Sequence, residues 1–348
     1  MPSDVHPSSA AYDPRAVRQD VEHFGWHLRL VPGAAGATTG ASTGYLHTVG
    51  LPQTWDHPEI VFFAPNANAA GMAAWLRRVV ARVAAGERFT EGAAHPGLLG
   101  NRDCVVRGVH RRWLPHFLTA AVGHHGGADF DAVELLWADA EGRMPWRQDF
   151  SARSLAAQRL LFEPNPLLAR LADHEIAALA AAEGEAVLRD AAEALSVHLE
   201  PAAARTVEED WRWLAGDGTR LFRMTLLGDL LFTTDGGRLV WLDAAAARTR
   251  LVAANEDSWW QRLAIGAERW FRRRLLLHAR HVGRTLPAGQ VLSWSDSPMT
   301  GGELSLANLG FAPPQVHSYQ SAQVAQTLRH LPPGAAPGRA DSGALRPA

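Results

Sequence analysis

The stretch LLARLADHEIAALAAAEGEAVLRDAAEALSVHLE, residues 167–200, constrains the chain more than any other. It is rich in Ala, Leu and Glu, which lose little side-chain freedom in a helix, and its apolar residues recur every three or four positions. Helices are expected there, broken near Gly184 and Pro201. On either side the pattern changes to short apolar runs punctuated by Gly, Pro and Asp. A helical joining region, 151–204, therefore separates a first globular unit, 16–150, from a second, 205–334. The expected fold class is α+β, two mixed helix and sheet domains. The 348 residues, 47% hydrophobic and 20% charged, are enough for two such cores. Both ends are expected to be disordered, because the tail 335–348 has almost no bulky apolar residue to offset its ordering entropy.

In the first unit GWHLRLV alternates Trp26, Leu28 and Leu30 with His27 and Arg29, the period of a strand with one buried face. GYLHTVGL and EIVFFAP read as two further strands. A helix follows Pro65, with Met72, Leu76, Val79, Val80 and Val83 at helical spacing and Gly86 past its end. DCVVRGV and AVELLWAD read as strands again. In the second unit, TRLFRMTLLGDLLFTTDGGRLVWLDAAAARTRLVA has the punctuation of an antiparallel meander. One helix is then expected from Ser258 to Gly283, carrying Trp259, Leu263, Trp270, Leu276 and Leu277. A last one runs from about Ser318, with Val324, Leu328 and Leu331 on one side, to Pro332 and Pro333.

Composition excludes several chemistries. Every one of the 34 basic residues is arginine, so there is no P-loop lysine, Schiff-base lysine or lysine nucleophile. The formal charge of -2 gives no overall field that would draw in nucleic acid or an anionic membrane. Cys104, the single cysteine, sits in a strand pattern and reads as a small core group. The first residues show no secretory pattern and no apolar stretch is long enough to span a bilayer, so a cytoplasmic location is expected.

The strongest catalytic-looking set is His47, His57 and Glu59, with Asp56 beside them, since imidazoles with carboxylates shuttle protons or bind metals. Its spacing matches no metal motif, and the proline after His57 suggests a turn. His124 and His125, beside Gly126 and Gly127, read as solvated loop histidines. His278 and His281 could share one ligand but reach only two donors. ERWFRRRLLLHARHVGR carries six arginines, but helical geometry puts Arg272, Arg273 and Arg274 on different sides, and a solvated face is the simpler reading than a nucleic-acid footprint. Among the thirteen tryptophans, Trp259, Trp260 and Trp294 fall near expected loops and are candidate exposed anchors. The GGE of residues 301–303 reads first as a turn that needs a positive φ, and second as a place of close approach to a partner.

The second unit resembles the C-terminal domain of type VI secretion DNase immunity proteins, domain of unknown function 1851. The likeness rests on DWRWLAG, LLGDLLFTTDGGRLVWLD, TRLVAANEDSWW, PMTGGELSLANL and HSYQSAQVAQTLRHLPPG, in that order. Pro298, Gly301, Gly302, Glu303, Asn308, Gln323, Leu331 and Pro332 occupy the places of the family pattern, and Thr300 departs from an expected Leu. The first unit resembles domain of unknown function 4262, through GWHLRLV, YLHTVGL, HPE, AGERF and DFDAVELLWADAEGRMPW. It departs from that family at Ala138, where Pro is usual, and at Met144, where Phe is usual.

The resemblance of the second unit, with the lack of a recognisable catalytic motif, implies a cytoplasmic immunity-type protein that binds and occludes a cognate toxin, whereas the resemblance of the first unit implies no activity. Its partner-binding residues are expected to be Trp294, Met299, Gly301, Gly302, Glu303 and Asn308, with Gln320, Gln323 and Gln326 beside them. No cofactor, metal or membrane partner is expected. The alternatives are an enzyme with its site around His47, His57 and Glu59, and a nucleic-acid-binding protein acting through the arginine-rich helix.

Overall fold

A computed structural model describes residues 12–32, 44–63, 69–99 and 102–330, and the chain divides into two compact units between Ala172 and Asp173. The expected disordered ends, and with them Leu331, Pro332 and Pro333, lie outside the described residues.

The first unit contains, in order, α1 (Pro14–Phe24), β1 (His27–Val31), β2 (Tyr45–Val49), α2 (Leu51–Trp55), β3 (Glu59–Phe63), α3 (Ala69–Ala84), β4 (Ala94–Leu99), β5 (Arg102–Gly108), α4 (Leu114–Phe117), α5 (Thr119–His125), β6 (Ala132–Trp137) and α6 (Ala152–Ala156). Its six-stranded sheet has the order β1-β2-β3-β6-β5-β4. Only β3 and β6 pair in parallel among the described strands, so the unit is not doubly wound. Alternation along the strands gives the sheet two different faces. One carries Leu28, Leu30, Leu46, Ile60, Phe62, Cys104, Val106, Val133, Leu135 and Trp137, which pack with Leu76, Val79, Val80 and Val83 of α3 into one apolar cluster. Each fully buried aliphatic side chain there contributes about 2 kcal/mol.

The other face is polar across its middle. The strand registers set Arg29 opposite His47, His47 opposite Val61, Val61 opposite Glu134, and Glu134 opposite Arg107. Residues 157–171 belong to this unit, not to a free connection: Leu160, Leu161, Leu167 and Leu168 are buried, and Leu161 donates its N–H to Glu134 Oε2 at 2.8 Å.

The second unit contains α7 (Asp173–Glu183), α8 (Ala186–Glu193), β7 (Ser196–Val197), α9 (Pro201–Ala215), β8 (Thr219–Thr225), β9 (Leu230–Thr234), β10 (Leu239–Asp243), β11 (Arg248–Ala253), α10 (Glu256–Ala264), α11 (Ala267–Phe271), α12 (Arg273–His281), β12 (Val291–Trp294), β13 (Leu309–Ala312) and α13 (Pro314–Arg329). The meander forms a five-stranded antiparallel sheet of order β11-β10-β9-β8-β7, and β12 pairs with β13 separately. Val207 and Trp211 of α9 and Ala322 and Ala325 of α13 pack with Met224, Leu230, Phe232 and Leu242 of the sheet. On the opposite side, Trp241 meets Trp259 and Trp270 with ring centroids 5.9 and 5.2 Å away.

The single helix expected over 258–283 is instead α10, α11 and α12. The break at Arg272 has a physical cause. Its φ of 44° lies in the left-handed region, which turns the guanidinium inward to Asp229 Oδ2 at 3.4 Å and Asp243 Oδ1 at 2.9 Å. Burial, reinforced by Asp243, pushes Asp229 up to about 7 against the pull of Arg272 and of the Ala244 N–H. The expected solvated arginine face is corrected in the same way, because Arg273 is also buried. Trp259 and Trp260 are core residues, not exposed anchors, at 0% and 1% exposure. Arg272→Ala should destabilise the second unit by about 3 kcal/mol or more, since it strips a buried carboxylate of its cation. Urea unfolding followed by tryptophan fluorescence measures this.

Candidate functional site

The polar residues of the first unit converge on Glu59. Pairing of β2 with β3 covers Tyr45 to His47 against Val61 to Phe63, and beyond it the Thr48 side chain replaces the ladder. The Thr48 hydroxyl accepts from the Ile60 N–H at 2.8 Å and donates to Glu59 Oε2 at 2.6 Å. Glu59 Oε1 accepts from the Gly50 N–H at 2.6 Å and from His125 Nε2 at 2.9 Å. His125 Nδ1 lies 2.9 Å from the Gln53 side-chain nitrogen. An amide nitrogen can only donate, so Nδ1 is the acceptor and the proton sits on Nε2, aimed at the carboxylate. This pair adjoins a cleft of about 370 Å³ lined by Gln53, Asp56, His57, His125, Asp129 and Asp131, among others.

The histidine beside Glu59 is therefore His125, which the sequence reading placed among solvated loop residues. That reading is corrected: α5 carries the ring to Glu59, 66 residues away in the chain. His57 is committed elsewhere. Its Nδ1 donates to the Pro58 carbonyl at 2.7 Å and its Nε2 accepts the Phe89 N–H at 3.1 Å, so it ties the start of β3 to the segment after α3. Burial lowers its pKa. His47 is fully buried, with Nδ1 3.1 Å from the Thr48 carbonyl, and desolvation lowers it to about 4. Among the described residues, no group of three His, Cys, Asp or Glu side chains is arranged to hold a metal ion. Cys104 is buried at 0% exposure, and burial pushes its thiol up to about 12, which removes the thiolate needed for nucleophilic chemistry.

In the second unit, the loop from Trp294 to Asn308 is held by one side chain. Asn308 Nδ2 donates to the carbonyls of Asp296 at 2.8 Å and Glu303 at 2.9 Å, while its Oδ1 accepts the Asp296 N–H at 2.8 Å. Gly301 has φ 97°, and a Cβ on Gly302 would stand 2.1 Å from the Asp296 carbonyl oxygen. The double glycine is thus a tight corner clipped by a buried amide. Met299 packs against the core and Trp294 is half-buried, whereas Gly301 and Glu303 are exposed.

α13 begins at Pro314 rather than near Ser318, and its inward face is not the expected Val324 and Leu328 row, which is only half-buried. The helix buries small and polar residues instead: His317 Nδ1 meets Ser293 Oγ at 2.8 Å, and Ser318 donates to Asp210 Oδ2 at 2.7 Å. Val316, Tyr319, Gln320 and Gln323 are left outside, while Gln326 is half-buried. Sequence reasoning missed Leu304, Phe311, Val316 and Tyr319, which are 40–56% exposed. The available signal was the row of Ala and Ser residues on the opposite side of the helix.

Residues 20–151 match the family model described as Domain of unknown function (DUF4262). The N-terminal half of the chain is thus similar to that family, over nearly the span expected from its motifs. No curated protein matches the chain. Among the described residues, no helix is long and apolar enough to cross a membrane.

Two predictions follow from these geometries. Burial pushes Glu134 from its usual 4.5 up to about 8, with Oε1 lacking a partner, whereas His47 falls from 6.5 to about 4. The stability linked to Glu134 is complete below pH 4.5 and is lost as pH rises toward 8; that linked to His47 is complete above 6.5 and is lost as pH falls toward 4. The pH profile of urea unfolding should show Glu134→Gln gaining about 5 kcal/mol on wild type between the acid end and pH 8. Asn308→Ala should cost about 2–3 kcal/mol and increase amide exchange over residues 296–303, because it leaves backbone groups of the corner unpaired.

Proposed function

We propose that this chain is a binding protein, which recognises and occludes a cognate bacterial toxin in the cytoplasm. The observation that carries this reading is the exposure of Leu304, Phe311, Val316 and Tyr319 along residues 304–319, flanked by Glu303, Gln320 and Gln323. A helix that buries alanine and serine while presenting valine and tyrosine to water is arranged for a partner, since large apolar side chains with a polar rim supply the binding energy of interfaces. The clipped corner at Asn308 supports the same reading, because a rigid loop gives up little conformational entropy on binding. The motifs of the second unit that resemble the C-terminal domain of type VI secretion DNase immunity proteins are the reason for proposing a toxin as the partner. Trp294, Met299 and Asn308 then position the loop, and Gly301, Glu303, Gln320 and Gln323 belong to the contact zone.

Co-expression with the product of an adjacent toxin-like gene tests the proposal. Wild-type chain should protect the cells, and Tyr319→Asp should remain folded and lose protection, with affinity reduced at least ~100-fold as for a central aromatic anchor. Death of cells that hold soluble, intact wild-type chain would contradict it.

One observation favours a second reading, an enzyme in the first unit: a cleft adjoins an imidazole whose far nitrogen is held by a buried carboxylate. Such a pair can act as a general base once Gln53 swings from Nδ1. His125, not His47 or His57, would be its base. Hydrolysis of ester or phosphoester probes by the purified chain, lost in His125→Ala, would favour this reading over occlusion.

A further inference from the structure

Three arginines from three successive elements meet on the sheet face opposite α13. Arg250 lies on β11, the edge strand of the five-stranded sheet, Arg262 on α10 and Arg269 on α11. With Val252, Ile265, Gly266 and Trp270 they line a cleft of about 180 Å³. All three guanidinium groups are exposed, and no carboxylate among the described residues lines the cleft or pairs with them. Three other arginines of this unit are spent on carboxylates: Arg189 on Glu256, Arg223 on Glu193, and Arg272 on Asp229 and Asp243. Arg250, Arg262 and Arg269 differ in lining one cleft from three separate elements.

A tryptophan forms part of the same wall. Trp270 is 7% exposed, and its indole Nε1 has no hydrogen-bond partner. The nitrogen sits directly under another wall residue, since a Cβ placed on Gly266 would lie 3.2 Å from it. An N–H can only donate, and leaving it buried without an acceptor costs about 1–3 kcal/mol. Arg269 stacks on the same ring, its Cζ 5.1 Å from the centroid, which fixes one fork of donors beside the indole. Among the described residues the lining therefore offers arginine donors and no acidic acceptor, in a space suited to one tetrahedral oxyanion and its waters.

We propose that this cleft binds a phosphate group, held by Arg250, Arg262 and Arg269 beside the Trp270 ring, and that the group is carried by a small phosphate monoester. Guanidinium forks match the oxygen spacing of phosphate and form charge-assisted hydrogen bonds with it. Val252 and Ile265 provide apolar walls for the organic part. A nucleic-acid backbone offers the same chemistry, but needs a track of cations longer than one cleft. The site stands apart from the toxin-docking reading and does not depend on it.

Nitrogen–proton spectra of the full chain, titrated with inorganic phosphate and then with phenyl phosphate at constant ionic strength, test the proposal. The Trp270 indole resonance is assigned by its disappearance in Trp270→Phe. It should shift saturably with both probes, more strongly with the ester, and Arg262→Gln and Arg269→Gln should each weaken the response by about tenfold or more. Both arginines are exposed and pair with no carboxylate among the described residues, so these variants should keep the wild-type spectrum elsewhere. A shift no larger than an equal concentration of chloride produces, or one retained in both variants, would overturn the site. A short single-stranded oligonucleotide acting at far lower concentration than phenyl phosphate, with affinity falling steeply between ~50 and ~200 mM salt, would overturn the small-ester assignment.

Discussion

Glu59 is the group on which the polar half of the first unit depends. A carboxylate at 0% exposure is costly unless its oxygens are filled, and here they accept from Thr48, Gly50 and His125. Those donors come from the end of β2, the turn into α2 and the end of α5. One side chain thereby fixes where β2 stops pairing, where the chain turns, and how a helix lies over the sheet. The apolar face packed on α3 supplies most of the free energy of folding, but it is forgiving about detail. The carboxylate is not, because each donor must reach it.

The second unit uses the same device differently. Asp229 and Asp243 draw in Arg272, the inward turn of that residue breaks a long helical pattern, and the break lets Trp259 and Trp270 close around Trp241. The opposite side of the sheet is covered by α9 and α13, and α13 is anchored through His317 and Ser318 rather than by a row of leucines. Anchoring through small and polar contacts leaves the large apolar residues of this helix free to face outward. Packing and display are thus two consequences of one choice of helix face.

Much of this was legible in the sequence where one period dominated. Strands β1, β2, β3, β5 and β6, helix α3 and the meander β8 to β11 follow from alternation, helical spacing and Gly or Asp punctuation. Short α4 and α5 were not legible, since neither holds enough turns for a period to emerge. The candidate site was legible in part. Glu59 was singled out, but its imidazole partner was sought among neighbours in sequence, while His125 arrives from a different element. Arg250, Arg262 and Arg269 were hidden for the same reason: no one-dimensional pattern joins an edge strand to two helices. The Ser258–Gly283 stretch misled because its apolar spacing is genuinely helical, and only the pull of two aspartates on Arg272 interrupts it.

The central claim, that Glu59 is a structural acceptor filled at both oxygens, is tested most directly by Glu59→Gln. The amide keeps the shape but loses the charge and can accept at only one of the two positions, so its NH2 either faces the Gly50 N–H, which only donates, or turns to Thr48 and forces that hydroxyl from donor to acceptor. Chemical denaturation at neutral pH should show a loss of about 3–5 kcal/mol, the size expected when a buried charged hydrogen-bond network is broken. A variant that unfolds within about 0.5 kcal/mol of wild type, the range of an ordinary surface substitution, would contradict it.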